Sequence, residues 1–311
     1  MKHIFLLNNH AGQVAKLTDL RNELSSYEKE EKGRFEYYVF NVRSAGKEAE
    51  EVKRIIRYFS GTDRLRLYLC GGSGTLCNAI NGIEDLKEIE TAFYPCGLTN
   101  DFLKVFGADQ KYFHDIKSLI HGKPVFIDYI ETNRGRLLNA LSNGFDSKII
   151  RKMEDYRAFS MFAPSLPYLM GGVNGVFLTG YESYRIVLDE KKEIVGNISE
   201  IFFGNGAVLG GRAIMTDNTD IDDGKAAVTL ILDRQYLRIA PVALAAVKGD
   251  HKRIKELCYT DLASKITIER TDRKPFEINF DGELQEPIEK WEARIVNKGL
   301  KFVLPEGAYR D

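Results

Sequence analysis

Four short stretches of this 311-residue chain gather the residue types that handle phosphate, metal and protons. CGGSGTLCNAING, residues 70–82, leaves an apolar run through glycines, a serine and a threonine. Such a turn between a strand and a helix brings backbone N–H groups and a helix N-terminus to one point, which suits an anion. PCGLTNDF, residues 95–102, follows a second expected strand end, so two polar loops would lie on the same edge of one sheet. Asn100 and Asp101 are also good helix-starting residues. TDIDDGKAAVTLI, residues 219–231, sets Asp220, Asp222 and Asp223 close together ahead of Gly224. Clustered carboxylates repel unless a cation or strong donors sit between them, and hard oxygens suit Mg²⁺. A solvated turn accounts for the same residues. In INFDGELQ, residues 278–285, Asp281 and Glu283 flank Gly282. D-G is a strong hairpin signal. It could also hold a carboxylate that takes a proton from an attacking hydroxyl.

The elements that would position these stretches fall into two textures. From residue 1 to 124, strand patterns (Ile4–Leu7, Phe35–Phe40, Leu65–Leu69, Thr91–Tyr94) alternate with helix patterns (Val14–Lys29, Lys47–Phe59, Thr75–Asn81). That alternation predicts a parallel sheet covered on both faces, with ligands beyond the carboxyl ends of its strands. From 125 to 292 strand-like runs dominate, and only Pro164–Phe177 and Gln235–Lys248 look helical, which predicts an antiparallel sandwich. Gly122-Lys123-Pro124 marks the boundary, and the strand-like tail within 293–311 could belong to either domain.

Composition removes several classes of function. Lys and Arg number 44 against 45 Asp and Glu, so no global field recruits nucleic acid, and any membrane contact must be local. No apolar run approaches the roughly 20 residues of a membrane-spanning helix. The opening MKHIFLLNNHAG reads as a first strand and not as a signal peptide, so the expected location is the cytoplasm. Cys70, Cys77, Cys96 and Cys258 form no C-x-x-C pair and read as reduced, partly buried thiols, while the five histidines form no metal-ligand set.

Taken in order and approximate spacing, the four stretches resemble the diacylglycerol kinase catalytic family, which includes sphingosine kinases and bacterial lipid kinases. That family carries GGDGT, P-x-G-T-x-N-D-F, an N-G…G-G-G segment before an acidic D-G loop, and a terminal D-G-E. The counterparts here are GGSGT at 71–75, PCGLTNDF at 95–102, NGAVLGGR at 205–212 leading into DIDDG at 220–224, and DGE at 281–283. LLNNHAG at the first strand resembles the family's N-P-x-x-G, and LSNGFDSKI at 141–149 its N-x-x-x-G-F-D-A.

The resemblance implies an N-terminal α/β nucleotide domain like that of phosphofructokinase and NAD kinase, followed by a lipid-binding β-sandwich, with the last strand returning to the first domain. It implies that Gly71, Gly72, Gly74 and Thr75, with Ser73 among them, cradle ATP phosphates, and that Asn8, Asn100 and Asp101 shape the nucleotide side. It matches Asp220, Asp223 and the carbonyl of Lys225 to a structural Mg²⁺ loop, and Asp281 to the general base with Glu283 as its partner. A long-chain lipid acceptor, peripheral membrane contact and a homodimer are the expected partners. Apolar residues such as Phe159, Met161, Phe162, Leu166, Tyr168, Leu169 and Met170 are candidates for a lipid-facing lip or, alternatively, a packed helix. The chain departs from the family at Ser73, where GGDGT has Asp, at Leu98 and Thr99, and at Arg212 with Thr216–Thr219. Two functions follow: a lipid kinase transferring the γ-phosphoryl group of ATP to a diacylglycerol-like hydroxyl, or a catalytically impaired relative that binds nucleotide or lipid without turnover.

Overall fold

The computed structural model describes residues 1–10, 14–32, 34–61, 64–97, 100–155, 182–217, 219–232 and 236–308. Leu98, Thr99, the helix expected at Pro164–Phe177 and the apolar residues from Phe159 to Met170 lie outside the described residues. The chain divides into two compact units, Met1–Tyr129 with Val296–Asp311, and Ile130–Ile295. The expected boundaries were 124/125 and 292/293; the observed ones fall inside the fifth strand and the last.

The first unit contains β1 (Lys2–Leu7), β2 (Tyr37–Asn41), β3 (Leu65–Gly71), β4 (Glu90–Pro95) and the first part of β5 (Lys123–Thr132). β1 pairs in parallel with β2 and with β3, and β3 pairs in parallel with β4. Ile4 to Leu7 and Leu65 to Cys70 are buried without alternation, as a sheet covered on both faces requires. Helices α1 (Val14–Glu30), α2 (Glu48–Tyr58), α3 (Ser73–Ile80) and α4 (Ile116–Ile120), with a 3₁₀ segment at Asp101–His114, make the connections. Helix α3 begins at Ser73, two residues ahead of the start expected from periodicity, because Gly72 in extended conformation serves as its N-cap.

The second unit is antiparallel. It holds β6 (Arg136–Leu137), β7 (Ala140–Gly144), β8 (Glu182–Leu188), β9 (Lys192–Gly204), β10 (Val208–Leu209), β11 (Ala213–Ile214), β12 (Ala226–Leu232), β13 (Tyr259–Ala263), β14 (Lys265–Arg270), β15 (Asn279–Phe280), β16 (Glu283–Leu284) and the first part of β17 (Lys290–Leu304). Helix α5 (Phe145–Asp155) follows β7. Strand β9 organises the unit: it pairs with β8 over Lys192–Ile198, then with β7 over Glu200–Gly204, and with β12 over Ile198–Gly204. A long strand that changes partners in this way is how two antiparallel layers share one element. Helices Tyr236–Lys248 and His251–Leu257 close one face, packing Ala245, Ala246 and Ile254 against Ala140, Phe202 and Ala227. The far end of β17 pairs in parallel with β4 through Phe302 and Thr91, inside the first unit.

Candidate active site

In the first unit, the end of β1, the turn after β3 and the turn after β4 are tied together by side chains. Asn8 is 2 % exposed, and its Nδ2 donates to Glu48 Oε1 (2.7 Å) and to Thr75 Oγ1 (2.9 Å). Thr75 lies so close to the turn that a Cβ on Gly71 would sit 2.4 Å from its hydroxyl oxygen. Gly97 and Gly72 also press together, since a Cβ on Gly97 would come within 2.6 Å of the Gly72 Cα. Glycine is required at these positions by close approach and not by an unusual φ.

Ser73 bridges the two loops. Its Oγ accepts the backbone N–H of Asp101 (3.2 Å), and Cys96 and Gly97 both donate N–H to the Gly71 carbonyl (2.7 and 3.2 Å). Asn100 stands in the left-handed region (φ +46°) before the 3₁₀ segment. It occupies the N-cap position that its type suggested, but its side chain turns back and Nδ2 donates to the Gly97 carbonyl (3.0 Å). The first bond of α3 runs from Leu76 N–H to the Gly72 carbonyl (3.1 Å). The N–H groups of Ser73, Gly74 and Thr75 lie ahead of that bond at the positive end of the helix, the arrangement that receives a phosphate. Asp101 is 9 % exposed in the same cluster. Glu48 escaped the sequence reading because an acidic residue in the first helical turn is ordinary dipole compensation. Its burial to 3 % exposure beside Asn8 is what distinguishes it from Glu50 in the same turn.

In the second unit, the D-G-E turn is built inward. Asp281 is half-buried as a residue, but its carboxylate faces the chain at the start of β7. Oδ1 accepts from Ala140 N–H (2.8 Å), and Oδ2 accepts from Leu138 N–H and Asn139 N–H (3.4 and 3.3 Å). The Asp281 N–H donates in return to the Ala140 carbonyl (3.2 Å). Burial pushes its pKa up from 3.8 to about 6, opposed by those backbone donors. The turn residue expected at a loop tip is therefore an anchored and desolvated carboxylate. Glu283, two residues on, is exposed.

The N-G segment meets the same place. Asn205 and Gly206 both donate N–H to the Asn139 carbonyl (2.8 Å each), and Asn139 Nδ2 donates to the Val208 carbonyl (2.9 Å). The stretches at 139–146, 205–208 and 279–283, far apart in sequence, thus converge within this unit. Asn139 and Asn279 were missed as individual residues, because nothing about a lone asparagine signals which strand it will face.

The acidic loop is exposed at Asp220, Asp222, Asp223 and Lys225. Asp223 Oδ1 accepts the Lys225 N–H (2.9 Å), which closes an Asx turn. Among the described residues, no three His, Cys, Asp or Glu side chains converge as a metal site. The oxygens of Asp220, Asp223 and the Lys225 carbonyl suit Mg²⁺ in kind, though one Asp223 oxygen already serves the turn. The cysteines are free, and burial raises the pKa of Cys96 and Cys258 to about 11, so these two thiols stay protonated at neutral pH.

The first unit thus holds a strand–turn–helix whose leading N–H groups suit a phosphate, and the second holds a desolvated carboxylate. Residues 2–132 match the model of the diacylglycerol kinase catalytic domain. Over its length the chain is 26 % identical to a Shewanella frigidimarina protein named "probable lipid kinase YegS-like", across 310 residues covering 98 % of this chain and 94 % of that one. It is 25 % identical to a diacylglycerol kinase of Mycobacterium tuberculosis across 231 residues, 70 % of this chain and 72 % of that one. A diacylglycerol kinase structure from Bacillus anthracis shares the fold, with a TM-score of 0.66 at 18 % identity, covering 99 % of this chain and 98 % of that one. Among the described residues no helix is long and apolar enough to cross a membrane.

Proposed function

We propose that this protein is an ATP-dependent kinase of a diacylglycerol-like lipid, with Asp281 as its general base. The observation that carries the reading is the Asp281 carboxylate itself, fixed by three backbone N–H groups, with burial pushing its pKa up to about 6. A base must be unprotonated at working pH yet retain affinity for the proton it takes, and this environment gives both. Asp281 receives the proton of the acceptor hydroxyl while the hydroxyl oxygen bonds to the γ-phosphorus and the bond from that phosphorus to the bridging oxygen breaks, leaving ADP. Gly71, Gly72, Gly74, Thr75 and the N-terminus of α3 hold the phosphates, with Asn8, Asn100 and Asp101 ordering the surrounding loops. Mg²⁺ would neutralise phosphate charge, and Asp220, Asp223 and the Lys225 carbonyl are the donors proposed for a structural ion. Against a non-catalytic relative stands the fit of the base, since a carboxylate no longer used has no reason to be buried on three donors.

Peripheral contact with an anionic bilayer belongs to the same proposal. The helix Tyr236–Lys248 buries Val242, Ala245 and Ala246 but leaves Leu244 and Val247 56 % and 57 % exposed, and Lys248 and Arg253 line the shallow groove beside Leu244. Apolar residues one helical turn apart with cations alongside suit a lipid interface. Leu244→Asp should weaken sedimentation with phosphatidylglycerol vesicles, and equal binding would remove this face from the proposal.

The test of the activity is phosphoryl transfer from radiolabelled ATP to diacylglycerol in mixed micelles. Wild type should label the lipid and Asp281→Asn should not, while both bind ATP. Labelling by the variant at the wild-type rate would remove Asp281, and no labelling of any long-chain alcohol by wild type would favour the impaired relative.

A further inference from the structure

Behind the D-G-E turn lies a chain of buried polar groups that the mechanism above does not use. Asp281 and Gly282 both have positive φ (+49° and +98°), as the central pair of a tight hairpin turn requires. Asn279 ties this turn from below: its Oδ1 accepts the Gly282 N–H (2.8 Å). The other end of the same amide donates to Ser142 Oγ (3.0 Å) and to Asp146 Oδ2 (2.9 Å). Reversing this amide would set its oxygen against a carboxylate and its NH₂ against a backbone N–H, so the network fixes the orientation.

Asp146 is the hub. Oδ2 also accepts the Ser142 hydroxyl, and Oδ1 accepts the Ser147 N–H (2.6 Å). The Asp146 backbone N–H donates to Glu200 Oε2 (3.1 Å). Glu200 is 3 % exposed, and burial, with Asp146 next to it, holds its carboxyl well above the usual range. The other charged groups around the network are paired: Glu182 with Arg270, linked through the Tyr184 hydroxyl to Asn143, and Arg151 with Glu277. Cys258 is protonated.

We propose that Asn279, Ser142 and Asp146, seated on Glu200, form the positioning device for the Asp281 base, holding the turn so that its carboxylate stays on the Leu138–Ala140 backbone. The inference rests on the kinase reading for the meaning of "base", but the geometry can be tested without turnover. None of these side chains touches Asp281 directly; each acts through the Gly282 N–H or through the side chain that holds it.

The experiment is a carboxyl ¹³C NMR titration of selectively labelled Asp281 in wild type, Asn279→Ala and Ser142→Ala, together with the pH profile of turnover. Wild type should titrate near pH 6. Loosening the turn lets water reach the carboxylate, so both variants should titrate at lower pH, by at least half a pH unit for Asn279→Ala. Their kcat should fall tenfold or more with KM for ATP unchanged. Titration and kcat that stay at wild-type values while only the melting temperature drops would overturn the proposal and leave the network a structural one. If Asn279→Ala does not fold, Ser142→Ala, which removes a single hydroxyl, decides by the same two outcomes. If wild type phosphorylates no lipid, the kinase reading fails while the NMR titration still decides whether the network positions Asp281.

Discussion

The turn proposed to receive phosphate and the turn proposed to carry the base are both glycine-containing bends at the ends of strands, yet they are held in different ways. The first is a backbone object. Gly71, Gly72 and Gly97 let strand ends and helix start come within van der Waals contact, and one hydroxyl, from Ser73, joins the two loops. The second is a side-chain object, in which Asp281 is supported by the Leu138–Ala140 backbone and by a buried network reaching to Glu200. A site made by the backbone is specified by small residues adjacent in sequence. A site made by buried polar side chains is specified by residues scattered over the unit.

The largest expected effect breaks the second turn. Asp281→Asn should lower turnover by roughly 10²- to 10⁴-fold, the usual worth of a general base. In wild type, the acid limb of the rate profile should fall as pH drops through about 6. Stability gives a second readout with a definite sign. Folding raises the pKa of this group, so the native state holds the proton more tightly between about pH 4 and 6, and stability decreases as pH rises through that window. The rise from 3.8 to about 6 is worth about 3 kcal/mol at most. Urea melts at pH 4 and pH 7 should therefore show the gap between wild type and Asp281→Asn moving in favour of the variant at pH 7. A pH-independent gap would mean that the carboxylate is not desolvated.

Breaking the first turn should act on packing before chemistry. Gly71→Ala forces a methyl group into the Thr75 side chain, which cannot retreat without releasing the Asn8 amide. Overpacking of this kind costs about 1–3 kcal/mol. Melting temperature and ATP affinity should fall together. Loss of ATP binding with unchanged stability would place Gly71 against the nucleotide and not against Thr75.

The same contrast governs what could be read from the sequence. The parallel sheet was legible because Ile4–Leu7 is an unbroken apolar run and Leu65–Leu69 one broken only by Arg66, both set between helix patterns, and the phosphate turn because its glycines are close together in sequence. Asp281 was legible as a residue, from D-G-E, but its environment was not: exposure at a hairpin tip and burial on three N–H groups give the same local pattern. Asn139, Ser142, Asp146, Glu200 and Asn279 acquire their roles only when β7, β9 and β15 come together. Helix α3 was placed two residues late for a related reason, since Ser73 and Gly74 are weak helix formers held by the helix start at Gly72.

The acidic loop offers a smaller test. If Asp220, Asp223 and the Lys225 carbonyl bind Mg²⁺, saturating the ion at about ten times its dissociation constant should stabilise wild type by about 1.4 kcal/mol. The double change of Asp220 and Asp223 to Ala should abolish the response in thermal melts. An equal response in both proteins would leave the Asx turn as the whole role of the loop.

The smallest effect concerns the side chain that joins the two loops of the first turn. Ser73→Ala removes the acceptor of the Asp101 N–H and should cost about 1 kcal/mol, the net worth of one hydrogen bond. Ser73→Asp keeps an acceptor in place and restores the GGDGT pattern, while adding a negative charge at the first residue of α3. The helix N-terminus favours that charge in the free protein, so stability should equal or exceed that of wild type. Bound phosphate would meet the same charge as a repulsion unless Mg²⁺ lies between them. Calorimetric titration with ATP should then show Ser73→Asp binding more weakly than wild type without Mg²⁺ and regaining affinity when the ion is added. If instead Ser73→Asp binds ATP equally with and without the ion, the side chain at this position faces the Asp101 loop alone, and the turn receives phosphate through its N–H groups whatever residue 73 is.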